Sequence, residues 1–214
     1  MWVRSEYANE LAVLSAWLSV FVPWSGATHT QQGTVLGAEV GSDIIFLRFP
    51  LVEFQFRSPA VIQSGAERIT VDAAVNGAYP GTELFGDVYL TTPPSSVLFY
   101  DSTLRQASLL WTAGAVGFAL ALLLSLALYV REDRVVAALP VSPVQFMGAL
   151  LGVGALGTAG ASVLQFAARD TVGVPVPVGV LVIAVLAAVL LRTEAVQTVD
   201  DGLDEEAGSP DPDA

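Results

Sequence analysis

Apolar positions along the chain gather into four runs. Residues 107–130 and 144–168 are stretches of 24 and 25 residues without a charge, and 174–191 is an 18-residue apolar stretch that opens with Pro175 and Pro177. A helix crossing a hydrocarbon layer of about 30 Å needs about 20 apolar residues, so each of these predicts a membrane span. The prolines suit a first helical turn, where the missing N–H has no intrahelical partner in any case. The remaining run, 11–24, is 14 residues long and reaches 18 as a span of 7–24 that includes Asn9 and Glu10. Its length also fits the apolar part of a signal peptide, with small residues for cleavage at Ser25, Gly26 and Ala27. Against cleavage, Glu6 and Glu10 sit beside a single Arg4 where a signal peptide is positive. Tyr7 and Trp24 bracket the run as interfacial aromatics do, and Trp111 and Tyr129 stand likewise near the ends of the second run. The sequence thus predicts a mostly α-helical membrane protein, a four-helix transmembrane bundle with a small extracytoplasmic β-rich module between helices 1 and 2.

Residues 25–104 carry the pattern of that module. Val52 to Arg57 and Arg68 to Ala73 alternate apolar and polar at period two, the mark of half-buried strands. Stretches 83–91 and 96–100 read as further short strands on either side of Pro93 and Pro94, and turns are expected at Gly41-Ser42, Ser64-Gly65, Asn76-Gly77 and Pro80-Gly81. Four to six strands are expected. Within the module Ile44, Ile45, Phe46, Leu47 and Phe49 form an unusually apolar run that ends at Pro50. Such a run is either a patch for a partner or a membrane surface, or a core strand bent at the proline.

Arginines near the span ends favour an orientation. With the N-terminus inside, Arg4, Arg131, Arg134 and Arg192 face the cytoplasm and Arg105 and Arg169 face out. The module then lies outside, and residues 193–214, with eight acidic residues and no basic one, form a disordered cytoplasmic tail.

Composition adds an environment. The chain is 53% hydrophobic with a mean hydropathy of +0.61, yet its formal net charge is −12. All nine basic residues are arginine. At molar salt the Debye length falls to about 3 Å, so neighbouring carboxylates hardly repel one another. Strong acidity without lysine therefore points to a salt-adapted organism. A GC-rich genome also favours arginine over lysine but does not account for 21 acidic residues. The absence of cysteine excludes disulfides and thiolate chemistry.

Candidate chemistry is sparse. The three longest runs hold no ionisable side chain at bilayer depth, where such groups are costly and kept for use. Glu10 is either an ion ligand or a carboxylate reaching interfacial water. His29 is the sole histidine, and neither Ser25, Glu39 nor Asp43 stands at the spacing of a triad or a metal site. No Gly-rich phosphate loop and no basic patch for nucleic acid occurs, so no catalytic, cofactor or metal residue is assigned. The third run carries small residues at Gly148, Gly152, Ala155, Ala159 and Ser162, along one helix face, while Gly154, Gly157 and Gly160 thin a second. Such faces let helices approach closely. They serve helix packing, homo-oligomer formation or, less economically, a substrate path. The expectation is a non-enzymatic accessory or assembly protein whose partners are the lipid bilayer and a membrane protein or a second copy. The alternative is a small transporter or channel component using the glycine-rich third helix.

The segments Trp2-Val3-Arg4-Ser5-Glu6-Tyr7, Pro23-Trp24, Phe46-Leu47-Arg48-Phe49-Pro50 and Val174-Pro175-Val176-Pro177-Val178-Gly179 together resemble small haloarchaeal multi-pass membrane proteins of unknown function. That resemblance implies a membrane location and supplies no mechanism.

Overall fold

The computed structural model describes residues 3–5, 7–35, 38–64, 67–71 and 79–195. In chain order the elements are β1 (Val3–Ser5), α1 (Ala8–Phe21), β2 (Ser25–Val35), β3 (Ala38–Arg48), β4 (Glu53–Arg57), β5 (Ala60–Ser64), β6 (Glu67–Val71), β7 (Thr82–Phe85), β8 (Val88–Thr91), α2 (Pro93–Phe99), α3 (Ser102–Ala138), α4 (Pro143–Ala167), α5 (Arg169–Val172), α6 (Val178–Leu191) and β9 (Thr193–Ala195). The protein is mostly helical, with one antiparallel sheet inserted between its first two long helices.

Helices α1, α3, α4 and α6 share one core, in which Trp24, Trp111, Phe118, Met147, Leu151, Ile183 and Leu190 are buried. Two of them, Ser102–Arg131 and Pro143–Ala167, are long and apolar enough to cross a membrane, yet only 33% and 44% of their most apolar stretches are buried. Their leucines and valines instead point outward, among them Leu120, Leu123 and Leu126 on α3 and Val153, Leu156 and Val163 on α4. Small residues carry α1 into the interior: Ala8, Ala12, Ser15, Ala16 and Ser19 make up its buried face.

Helices α3 and α4 approach each other closely through their glycines. A Cβ added at Gly157 would stand 2.8 Å from the Cα of Gly114, and one at Gly114 would stand 3.0 Å from the carbonyl oxygen of Gly154. Glycine is required on both helices because the obstacle is backbone, which cannot step aside as a side chain can. Helix α3 runs on to Ala138, beyond the expected 107–130, but breaks at Arg131, whose φ of −149° and ψ of 54° are not helical.

The strand order is β6-β5-β3-β4-β8-β7, with β2 also paired to β3. Seven strands replace the four to six expected. Neither β2 nor β5 was expected, and the sequence of β2, SGATHTQQGTV, has few apolar residues to betray it. Gly41-Ser42, expected as a turn, lies inside β3 opposite Gln31 and Gln32. Stretch 83–91 is a hairpin, split at Gly86, whose φ of +55° favours glycine. Stretch 96–100, expected as a strand, falls in α2. Pro93 opens that helix, and Thr92 caps it by exchanging hydrogen bonds with Ser95.

The last apolar run is also shorter as helix than as sequence. Residues 174–177 are not helical, and Val176 exchanges backbone hydrogen bonds with Gly26 of β2. Helix α6 therefore starts only at Val178. The expected tail begins late too, because Thr193–Ala195 pairs in parallel with Val3–Ser5. Residues 196–214 and Asn76-Gly77 lie outside the described residues.

An outward apolar sheet face over a buried polar network

The register of the sheet decides what each face carries. Ile44 lies opposite Arg57, Phe46 opposite Gln55 and Arg48 opposite Glu53, while Glu53 also faces Thr91. These residues share one face, and all are buried. Side chains alternate between faces along a strand, so Ile45, Leu47, Phe54, Phe56, Val88 and Leu90 occupy the other. Ile45 is 47% exposed and Phe56 40% exposed. The sheet thus hides its charges and shows its hydrophobes, the reverse of the usual arrangement in water.

The hidden face is a continuous hydrogen-bonded chain. Arg57 donates through Nη2 to Gln55 Oε1 at 2.6 Å, and Gln55 Nε2 donates to Glu53 Oε1 at 2.6 Å. Glu53 accepts from Arg48 Nε at 2.6 Å through its other oxygen, in a pair almost free of solvent. The carbonyl of Pro80 accepts from Gln55, Arg57 and Thr91, closing the network against the segment before β7. The face buries two guanidiniums and one carboxylate, and of the two only Arg48 pairs with Glu53 directly, while Arg57 reaches it through Gln55. Aromatic faces offset the surplus charge, since Arg57 sits 3.9 Å from the Tyr89 ring centroid and Arg48 4.8 Å from that of Phe46. Burial lowers the pKa of Arg57 and raises those of Tyr79 and Tyr100. For Tyr100 the nearby Glu53 carboxylate pushes the same way.

What covers this face is the end of the helical body. Ile44 and Phe46 pack with Tyr79, Val172 of α5, Tyr100 and Leu104 of α3. Tyr79 donates its hydroxyl to the Thr171 carbonyl at 2.8 Å. The turn between β3 and β4 is gripped by two indoles, for Trp24 donates to Phe49 O at 3.1 Å and Trp111 to Pro50 O at 3.0 Å. Trp24 and Trp111, expected as interfacial aromatics, are therefore interior clamps that bind the sheet to the helices. Only Tyr7 and Tyr129 of that set are exposed, at 71% and 87%.

The candidate residues fall into place on this frame. The run Ile44, Ile45, Phe46, Leu47, Phe49 is not a single patch: Ile44 and Phe46 are core, Ile45 and Leu47 turn outward, and Phe49 packs edge-on to Phe54. The run is a strand whose core reading holds for Ile44 and Phe46 alone, because a strand presents two faces. Phe54, Phe56, Val88 and Leu90 complete the outer surface, and only strand pairing identifies them as neighbours. Thr28, Thr30 and Asp43 are polar and exposed at its β2 side, with Thr30 donating to Asp43 at 2.7 Å.

His29 stands edge-on to Tyr79 on the inner face, whereas Asp43, opposite Thr30, points to the outer one, so the two do not meet. Ser25 is buried on the face of His29, four positions along β2 and thus about 13 Å away. Glu10 is exposed in the first turn of α1. Among the described residues no group of three or more His, Asp or Glu side chains could hold a metal.

On α4 the small-residue stripe divides. Gly148 meets α6, where an added Cβ would lie 2.9 Å from Leu191 N, and Ala155 and Ser162 are buried. Ala159 packs partly against the core. Gly152 is the correction: an added Cβ there meets nothing within 4 Å, so the Gly148-x-x-x-Gly152 pair is not a packing motif in this chain. The close contacts belong to the second face, at Gly154 and Gly157.

Comparison with curated proteins finds no match. A family model described as a family of unknown function, DUF7549, matches residues 1–195, which include every described element and stop where the acidic tail begins. The chain belongs to the DUF7549 family.

Proposed function

We propose that this protein is a non-enzymatic accessory or assembly factor of the cell membrane, in which four crossing helices hold a β-sheet at the outer surface and offer its far face to a protein partner. The observation that carries this reading is the inverted sheet. Ile45, Leu47, Phe54, Phe56, Val88 and Leu90 form one apolar surface on the side away from the helix ends. A sheet turned in this way presents its hydrophobes to a protein rather than to the acyl chains around the helices. An apolar centre with a polar rim is also how protein interfaces are built.

Several features support the crossing. The outward leucines of α3 and α4 suit lipid better than water. Helices α1 and α6, at 14 residues, are about 21 Å long and call for tilt or local thinning of the bilayer. The pairing of residues 3–5 with 193–195 joins the two ends of the helical body on one side, as an even number of crossings requires. That end also carries Arg131, Arg134 and Arg192, against Arg105 and Arg169 at the sheet end, a bias that supports a cytoplasmic side for it. The acidic, lysine-free composition supports a salt-adapted cell as the setting. Transport along the third crossing is less well supported, because the glycine face of α4 is filled by Gly114, Gly117 and Phe118.

The test is affinity purification of a tagged copy from native membranes at native salt, with mass spectrometry of what accompanies it. Wild type should retain a stoichiometric protein partner that is lost in the double variant Ile45→Asp, Phe56→Asp, while that variant still accumulates in the membrane. Equal retention of the partner by both proteins would sink the assignment of this face. Solute flux through purified protein without a partner would sink the accessory role itself.

A further inference from the structure

The break in α3 creates a second surface, far from the sheet. Before Arg131 the helix presents Leu126 and Val130, 53% and 65% exposed, and after it the chain presents Val135 and Leu139 to the same groove. The groove holds about 430 Å³, within the range of about 300–1,000 Å³ usual for small-ligand sites, and its surface is almost wholly apolar. Two cationic residues, Arg131 and Arg134, also line it.

We propose that this elbow holds one anionic phospholipid of the cytoplasmic leaflet, its acyl chain in the groove and its phosphate between Arg131 and Arg134. The inference depends on the membrane reading above, which sets the depth. Ser102–Arg131 is 30 residues, or about 45 Å of helix, which matches the roughly 40–45 Å of a bilayer with its headgroups. With Ser102 at the sheet side, Arg131 then reaches the opposite headgroup layer. Guanidinium is the side chain best matched to phosphate, which it meets through paired N–H donors. Basic pockets at the cytoplasmic ends of helices take up anionic headgroups on the same principle. A free phosphate would leave the apolar groove unfilled, and an apolar peptide would leave the guanidiniums without an anion. The sequence sets Glu132 and Asp133 between the two arginines. Selectivity must therefore come from one phosphate reaching both guanidiniums, not from bulk positive charge.

The experiment uses the purified full chain in detergent with equal amounts of phosphatidylglycerol and phosphatidylcholine, and native mass spectrometry counts the lipids retained. One phosphatidylglycerol per chain is expected, favoured about ten-fold over phosphatidylcholine. The preference should vanish in the double variant Arg131→Gln, Arg134→Gln. Leu126→Trp, which fills the groove and spares both arginines, should lower retention of the lipid. Equal retention of the two lipids by wild type, or an unchanged preference in the double variant, would overturn the proposal. So would glycerol phosphate that binds wild type and Leu126→Trp alike, which would mark a site for free phosphate. Carbonate washing of membranes separates the two levels of inference. Wild type that stays in the membrane yet keeps no anionic lipid removes only this proposal, and wild type that washes off removes the membrane reading together with it.

Discussion

The helical body and the sheet are both inside out, and for different reasons. In the body, alanine, glycine and serine line much of the interior beside Trp24, Phe118, Met147, Leu151 and Ile183, while many leucines and valines face outward. In the sheet, arginine, glutamate and glutamine are buried while isoleucine and phenylalanine are exposed. On the membrane reading proposed above, a lipid solvent would account for the first pattern, since burial of leucine gains nothing when the surroundings are equally apolar and close packing of small residues is the remaining cohesion. It does not account for the second. There the buried face is held by directional bonds among Arg57, Gln55, Glu53 and Arg48, and the hydrophobes are left over for something else. The lesson is that an inverted surface must be read together with what holds its far side.

That contrast can be broken in order of expected effect. The largest loss should come from Glu53→Ala, which leaves the buried Arg48 guanidinium without its carboxylate and Gln55 without an acceptor; breaking a buried pair costs about 3–5 kcal/mol. Thermal unfolding in detergent, followed by near-ultraviolet circular dichroism, should show the sheet signal lost well below the helical one. Melting of both together would mean that the network also supports the body. Next is Gly157→Ala, where the added methyl meets the backbone of Gly114 and Leu110. Overpacking of this kind costs about 1–3 kcal/mol, whereas Gly152→Ala, facing open space, should leave the midpoint within error. Equal effects of the two alanines would refute the division of the α4 faces.

A smaller effect is expected from alkali. Tyr79 and Tyr100 have pKa values raised by burial above the ordinary 10.0, so the folded state holds those protons where the unfolded chain releases them. Their contribution is complete below pH 10 and falls as pH rises beyond it. Phenolate absorbance should accordingly show two tyrosines that ionise only as the near-ultraviolet signal of the sheet disappears, and early ionisation of all five would contradict the packing at the joint. The smallest change in stability belongs to Phe56→Ser, within about 0.5 kcal/mol for an exposed site. Its consequence should appear in partner retention alone.

Much of this architecture was legible in the chain, and the parts that were not share a cause. Uncharged runs mark α3 and α4 because length and composition suffice there. Period-two alternation finds β4 because Glu53, Phe54, Gln55 and Phe56 differ sharply in polarity. Alternation says that a strand has two unlike faces without saying which is inward. Only the pairing of β3, β4 and β8 shows that the charged side turns toward the helix ends. The same limit hid β2, whose Thr and Gln residues give no contrast, and it merged Ile44 with Ile45 although they point opposite ways. The helix at Pro93–Phe99 was obscured by short length, although Thr92 and Ser95 supply its cap. Gly152 looked like a packing residue because spacing along one helix carries no information about which neighbour stands opposite.

The parallel pair of β1 and β9 has a consequence in time. Because Thr193–Ala195 follows α6, β1 can find no partner there until every helix of the body has been made. Closing so long a loop adds little entropy cost beyond a shorter one, since that cost grows only logarithmically with length. A chain interrupted before Thr193 would thus possess all its helices and still show an open strand edge, the kind of surface that invites unwanted pairing. The two short strands work as a mark of completion, because only a chain made through Ala195 can close this edge.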